Sequence, residues 1–168
     1  MGTPFTAVYN RFLDKITDDL YMELTPQDTL RDVQSLLVGI IPNFEFPRVN
    51  LYDYTKSEIS ITKNGVTDNS TFNIDLTEEE INILSILMMD AWLQRQITSI
   101  ENTRMKYSGS DFKFTSQANH LAKLLTLQTE IHRQSHHMQR LYKRRKTADD
   151  GRYASNWSVL KEVSALDD

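Results

Sequence analysis

The chain has 168 residues, a net charge of −4 at pH 7, 39% hydrophobic residues and no cysteine. That length suits one domain with a single substantial core, and the lack of thiols excludes a disulfide framework, a thiolate zinc cluster and a cysteine nucleophile. The charge is uneven: residues 1–100 hold seven Lys and Arg against fifteen Asp and Glu, a balance of −8, while residues 101–168 hold twelve against eight, a balance of +4. Such a division suits ordered contact with charged partners or with further copies of the chain.

The opening MGTPFTAVYN lacks a basic segment followed by an apolar stretch, so no secretory signal is expected and the default compartment is a cytoplasm. Phe5, Val8, Phe12, Ile16 and Leu20 recur at helical spacing with Asp14, Asp18 and Asp19 between them, which predicts an amphipathic helix over residues 5–21. Thr25 and Pro26 then read as N-cap and first helical position of a second helix carrying Leu30, Val33, Leu36, Leu37 and Ile40, closed by Pro42. From Pro42 to Lys56, two prolines and Phe44, Phe46, Tyr52 and Tyr54 argue for an ordered, extended connector. Alternation at residues 58–62 and 72–76 predicts a β-hairpin over about 58–76; its turn falls at Asn64-Gly65 or in a loop running on to Ser70.

Residues 75–107 carry the longest continuous structural signal. Thr77 and Glu80 have capping-box spacing, Glu78 to Glu80 complement the positive end of a helix, and no Pro or Gly intervenes before Gly109. Ile81, Leu84, Met88 and Trp92 mark one face, while Ile83, Ile86, Leu87, Leu93, Ile97 and Ile100 widen the band, so this helix needs cover on more than one side. The cover is either the chain's own core or a neighbouring copy. The apolar run is too short to span a membrane. After a reversal at residues 108–111, Phe112 and Phe114 can return to the core, and Thr115 or Ser116 caps a last helix running to about Lys146. Ala118, Leu121, Leu124, Leu125, Gln128, Ile131, Ser135, Met138 and Tyr142 give that helix a near-heptad face for antiparallel pairing with the central one. The expected fold is mainly α: a small helical bundle with one long central helix, an inserted β-hairpin and an extended C-terminal tail. Residues 1–146 form the helical domain and residues 147–168 a docking tail, anchored on a partner by Tyr153, Trp157, Val159 and Leu160 or folded back on its own domain.

His132 and His136 stand one turn apart, a spacing that can chelate a divalent cation. The last helix offers no third ligand and looks cationic, so a solvated face is expected there, with His120 as a capping or partly buried group and no metal or cofactor. Neither a phosphate-cradling glycine loop nor a G-x-S-x-G elbow occurs, and no catalytic residue is assigned. The basic run Arg140, Lys143, Arg144, Arg145 and Lys146, with Tyr142 interleaved, serves either the helix C-terminus and subunit contacts or the phosphates of DNA.

Asp75-Leu76-Thr77-Glu78-Glu79-Glu80 followed by Leu84, Leu87-Met88, Trp92-Leu93 and Gln96-Ile97, then Asp111-Phe112-Lys113 and Ser116-Gln117-Ala118-Asn119-His120-Leu121, resembles the neck proteins of tailed bacteriophages, the head–tail connector or adaptor family. The resemblance spans residues 75–145. It implies a structural, non-enzymatic virion protein: a helical subunit repeated as a homo-oligomeric ring, commonly of twelve, beneath the portal protein, meeting other neck or tail proteins and enclosing a DNA channel. It also implies a terminal segment that grips the portal, the role open to residues 147–168, while the hairpin at 58–76 reaches a neighbouring subunit or ring. Stopper and tail-completion positions fit the same pattern. The alternative is a small DNA-binding protein acting in packaging or regulation through the basic end of the last helix.

Overall fold

Two long helices form the spine of the computed structural model, which describes residues 2–16, 21, 24–62, 65–106, 115–147 and 153–154. In chain order the described elements are α1 (Phe5–Leu13), α2 (Pro26–Ile40), a 3₁₀ turn (Ile41–Asn43), β1 (Tyr54–Thr55), β2 (Ser60–Thr62), β3 (Gly65–Thr67), β4 (Thr71–Phe72), α3 (Glu78–Lys106), α4 (Thr115–Arg144), β5 (Lys146–Thr147) and β6 (Tyr153–Ala154). The chain is mainly helical, with a small inserted hairpin, as its periodicity predicts.

α1 forms because Phe5, Val8, Tyr9 and Phe12 share one buried stripe. It is shorter than the spacing predicts and closes at Leu13, where Asp14 and Lys15 return their amides to the Asn10 and Phe12 carbonyls. Carboxylates at Asp14, Asp18 and Asp19 oppose the negative end that a longer helix would place there. Leu20 lies outside the described residues. α2 begins as expected, with the Thr25 hydroxyl accepting from the Asp28 amide and Pro26 in the first turn.

The connector is partly strand. β1 pairs antiparallel with β4, Tyr54 opposite Phe72, and β2 pairs with β3, Ser60 opposite Thr67 and Thr62 opposite Gly65. The last pair of the inner ladder is Thr62 with Gly65, and Gly65 sits at φ +124°, a conformation that disfavours any side chain. The hairpin is wider than predicted because its outer ladder recruits Tyr54 and Thr55 from the connector. The N-terminal residues run alongside it: the Thr3 amide donates to the Ile74 carbonyl, the Phe72 amide to Thr3 and the Phe5 amide to Ser70. Gly2 lies so close to this strand that an added Cβ would stand 2.0 Å from the Phe72 carbonyl oxygen.

A buried polar cluster fixes the hairpin to the helices. Asp68 accepts from the Tyr9 hydroxyl at 2.8 Å, from Gln34 Nε2 at 3.2 Å and from the Ser70 hydroxyl at 2.6 Å, and Ser70 Oγ accepts from the Ser57 amide at 2.9 Å. Burial first, and donation to the Asp68 carboxylate second, push the Tyr9 pKa upward. Gln34, on the buried face of α2, also donates to Ser70 Oγ and to the Ser57 carbonyl, so α1, α2 and the hairpin share one satisfied network.

α3 is covered on two sides by its own chain. Ile81, Ile83, Leu84, Leu87 and Met88 pack with Phe5, Val8, Phe12, Val33, Leu37 and Phe72, while Ile86 and Leu93 pack with Ile131 of α4. Of the two alternatives for its cover, the chain's own core supplies it along this stretch: α1 and α2 take one face, α4 the other. Of the predicted α4 face, Leu121, Ile131, Ser135 and Tyr142 are buried, whereas Leu125 is 43% exposed and neighbouring Leu127 is 41% exposed. α4 ends at Arg144, two residues before the predicted Lys146, because Lys146–Thr147 leave the helix to pair with Tyr153–Ala154.

Candidate functional site

The basic end of α4 is built into the body. Tyr142 is fully buried, so it belongs to the core and is not available to stack on a nucleic acid base. Its hydroxyl donates to Glu80 Oε1 in a short hydrogen bond, while Glu80 Oε2 accepts from the Thr77 amide at 2.7 Å and the Thr77 hydroxyl at 2.9 Å. Glu80 thus caps α3 and clamps the end of α4 with the same carboxylate. Burial of the phenol first, and its bond to Glu80 second, raise the Tyr142 pKa; the Arg48 amide, which donates to the phenol oxygen, and then the Arg48 guanidinium oppose the shift.

Arg48 comes from the connector, stands 4.2 Å from the centre of the Tyr142 ring and donates to the carbonyls of Tyr142 and Arg145. The Tyr142 carbonyl also accepts from the Arg145 amide at 3.2 Å, and a cation is well placed at this negative helix end. Arg145 pairs with Glu79 at 2.7 Å, Lys143 Nζ lies 3.8 Å from the centre of the Phe46 ring, and Arg140 Nε reaches the His136 carbonyl. Arg144 is exposed. The acidic first turn of α3 is used in the same way, with Glu78 on Arg11 at 2.5 Å. Helix-end and intramolecular contacts therefore occupy much of the predicted basic run.

Tyr153 stands opposite Thr147 in the β5–β6 ladder, so the described start of the tail doubles back beside the end of α4. Trp157, Val159 and Leu160 lie outside the described residues, as do Phe112 and Phe114.

The histidines of α4 gain partners that their sequence neighbours do not show. His132 Nδ1 lies 2.9 Å from Asp90 Oδ2 of α3, and His136 Nδ1 lies 2.9 Å from Glu45 Oε1 of the connector. The two Nε2 atoms face each other at 3.0 Å, with the rings nearly perpendicular. A cleft of about 320 Å³ opens beside them, lined also by Pro42, Asn43, Leu87, Ser135 and Gln139. The surroundings of the pair are acidic, not cationic as the last helix alone indicates, because Glu45 and Asp90 arrive from other elements. His120 is exposed, not partly buried. Asp90 had one legible signal: a carboxylate within an otherwise apolar stretch of α3. Glu45 had none, since only folding carries the connector across α4.

Exposed apolar groups occur at Leu125 and Leu127 on α4, Ile61 in β2, and Tyr52 and Phe46 in the connector. No helix among the described residues is long and apolar enough to cross a membrane. No family model, curated protein or solved structure matches the chain.

Proposed function

We propose that this chain is a structural virion protein, a head–tail connector subunit that forms an oligomeric ring at the neck of a tailed bacteriophage, between the portal protein and the tail. The observation that carries the reading is the disposition of Leu125 and Leu127 on the long α3–α4 arm. At roughly 100° per residue, these positions fall on opposite flanks of the seam that Leu121, Ile131 and Ser135 make with α3. The arm therefore presents an apolar side chain to each side, as a subunit with one neighbour on its left and another on its right requires. Ile61 and Tyr52 supply further apolar ground for such contacts, and the opposite net charge of the first hundred residues and the remainder suits head-to-tail association.

The test is sedimentation velocity and negative-stain microscopy of the untagged chain, alone and mixed with the portal protein of the same virion. A closed ring, free or seated on the portal, is expected; Leu125→Glu and Leu127→Glu should each abolish it while leaving the far-ultraviolet circular dichroism unchanged. A chain that stays monomeric and ignores the portal overturns the reading. Steeply salt-dependent binding to duplex DNA, lost in Arg140→Ala and Arg144→Ala, would transfer the assignment to a DNA-binding protein.

A further inference from the structure

We infer that His132 and His136 bind a divalent transition-metal cation of the zinc class through their Nε2 atoms, with Asp90 and Glu45 holding the two imidazoles from behind. The inference is independent of the ring reading. A carboxylate accepts hydrogen bonds and donates none, so the contacts of Asp90 and Glu45 at 2.9 Å require each ring to carry its proton on Nδ1. Each Nε2 then presents a lone pair, and the two lone pairs meet at 3.0 Å. They repel unless a positive species lies between them. Zinc–nitrogen bonds of about 2.0–2.1 Å at a tetrahedral angle separate two nitrogens by roughly 3.3–3.4 Å, so chelation asks the rings to part by only a few tenths of an ångström.

The carboxylate–histidine–metal sequence is the outer-sphere arrangement that fixes the tautomer and raises ligand basicity. Here it occurs twice, from two different elements. Asp90 adds a second indication: its Oδ1 is buried with no hydrogen-bond partner, so the site holds a carboxylate whose negative charge is only partly compensated. The nearby cations are already engaged, Arg133 by Glu130 and Arg140 by the His136 carbonyl. Among the described residues no group of three or more His, Cys, Asp or Glu surrounds a common point. The cation therefore takes two protein nitrogens and completes its shell with water, for which the adjoining cleft has room.

Titration calorimetry of the untagged full-length chain with zinc chloride tests this. One equivalent should bind saturably. Binding should be lost in His132→Ala and in His136→Ala, whose exposed side chains leave the core untouched, and retained in His120→Ala and His137→Ala. Asp90→Asn should weaken it 10- to 100-fold without unfolding the chain, the loss expected when an outer-sphere carboxylate is removed. Wild-type and His132→Ala/His136→Ala isotherms that superimpose overturn the inference. So does nitrogen-15 spectroscopy showing one proton shared between the two Nε2 atoms in a chain that does not take up zinc.

Discussion

Replacing Tyr142 by Phe isolates one hydroxyl at the joint between α3 and α4. The ring fills the same space, so no cavity opens; what is lost is the donor to Glu80 Oε1 and the weaker acceptance from the Arg48 amide at 3.3 Å. Glu80 is 2% exposed and cannot recover the missing donor from water, although Thr77 still holds Oε2. A buried hydrogen bond to an ionised group contributes about 1.5–3 kcal/mol, so the variant should lose about 2 kcal/mol, or roughly 4–8 °C in Tm for a chain of this size. Tyr142→Ala removes the packing with Phe44 as well and should cost about 3–5 kcal/mol. The assay is urea unfolding at neutral pH for wild type, Tyr142→Phe, Glu80→Gln and the double variant. Because the two side chains touch, their losses should fall short of additivity by about 1–2 kcal/mol. A Tyr142→Phe variant within about 0.5 kcal/mol of wild type, or strictly additive losses, would refute the assignment of this bond as the clamp between the helices.

Two further outcomes follow from the buried polar groups. Tyr9 and Tyr142 keep their protons above the ordinary value of 10.0 because burial penalises the phenolate, so the unfolded chain releases these protons first. Their contribution is fully present below pH 10 and is lost as pH rises above it, by about 1.4 kcal/mol per pH unit for each tyrosine. Urea titrations at a series of alkaline pH values should show that slope fall by about half in Tyr9→Phe or Tyr142→Phe; an unchanged slope counts against it. Asp68→Ala strands the Tyr9 and Ser70 hydroxyls and the Ser70 amide, while Gln34 keeps the Ser57 carbonyl and Ser70 Oγ, and should cost about 3 kcal/mol, with faster amide exchange across the hairpin. Thermal unfolding within about 1 kcal/mol of wild type would show that solvent replaces the carboxylate there.

Local signals carried much of the architecture because each acts within a few residues. The Thr77–Glu80 capping box needs only one helical turn, and the Thr25-Pro26 start needs less; both are present as the sequence predicts. The alternation over residues 58–62 that marks β2 is likewise local, whereas β3 falls in the stretch whose turn residues alone predict a reversal. The hairpin's outer ladder is not legible locally, because Tyr54 and Phe72 are eighteen positions apart and their pairing depends on the body beneath them, where Phe5 packs against both rings. α1 stops at Leu13, short of what its apolar spacing predicts, because spacing alone does not weigh the aspartates beyond it against the helix dipole.

The sequence by itself determined the helical class, the positions of α2 and α3 and the need to cover α3 on two sides, since apolar period and capping chemistry are short-range properties. Tertiary structure alone decided who provides that cover, and it turned Tyr142 inward to Glu80 and carried Glu45 and Asp90 to the histidines of α4. The physical reason is that a side chain's charge state, burial and ligand geometry depend on neighbours within a few ångströms, and in this chain those neighbours lie some forty to ninety residues away along the backbone.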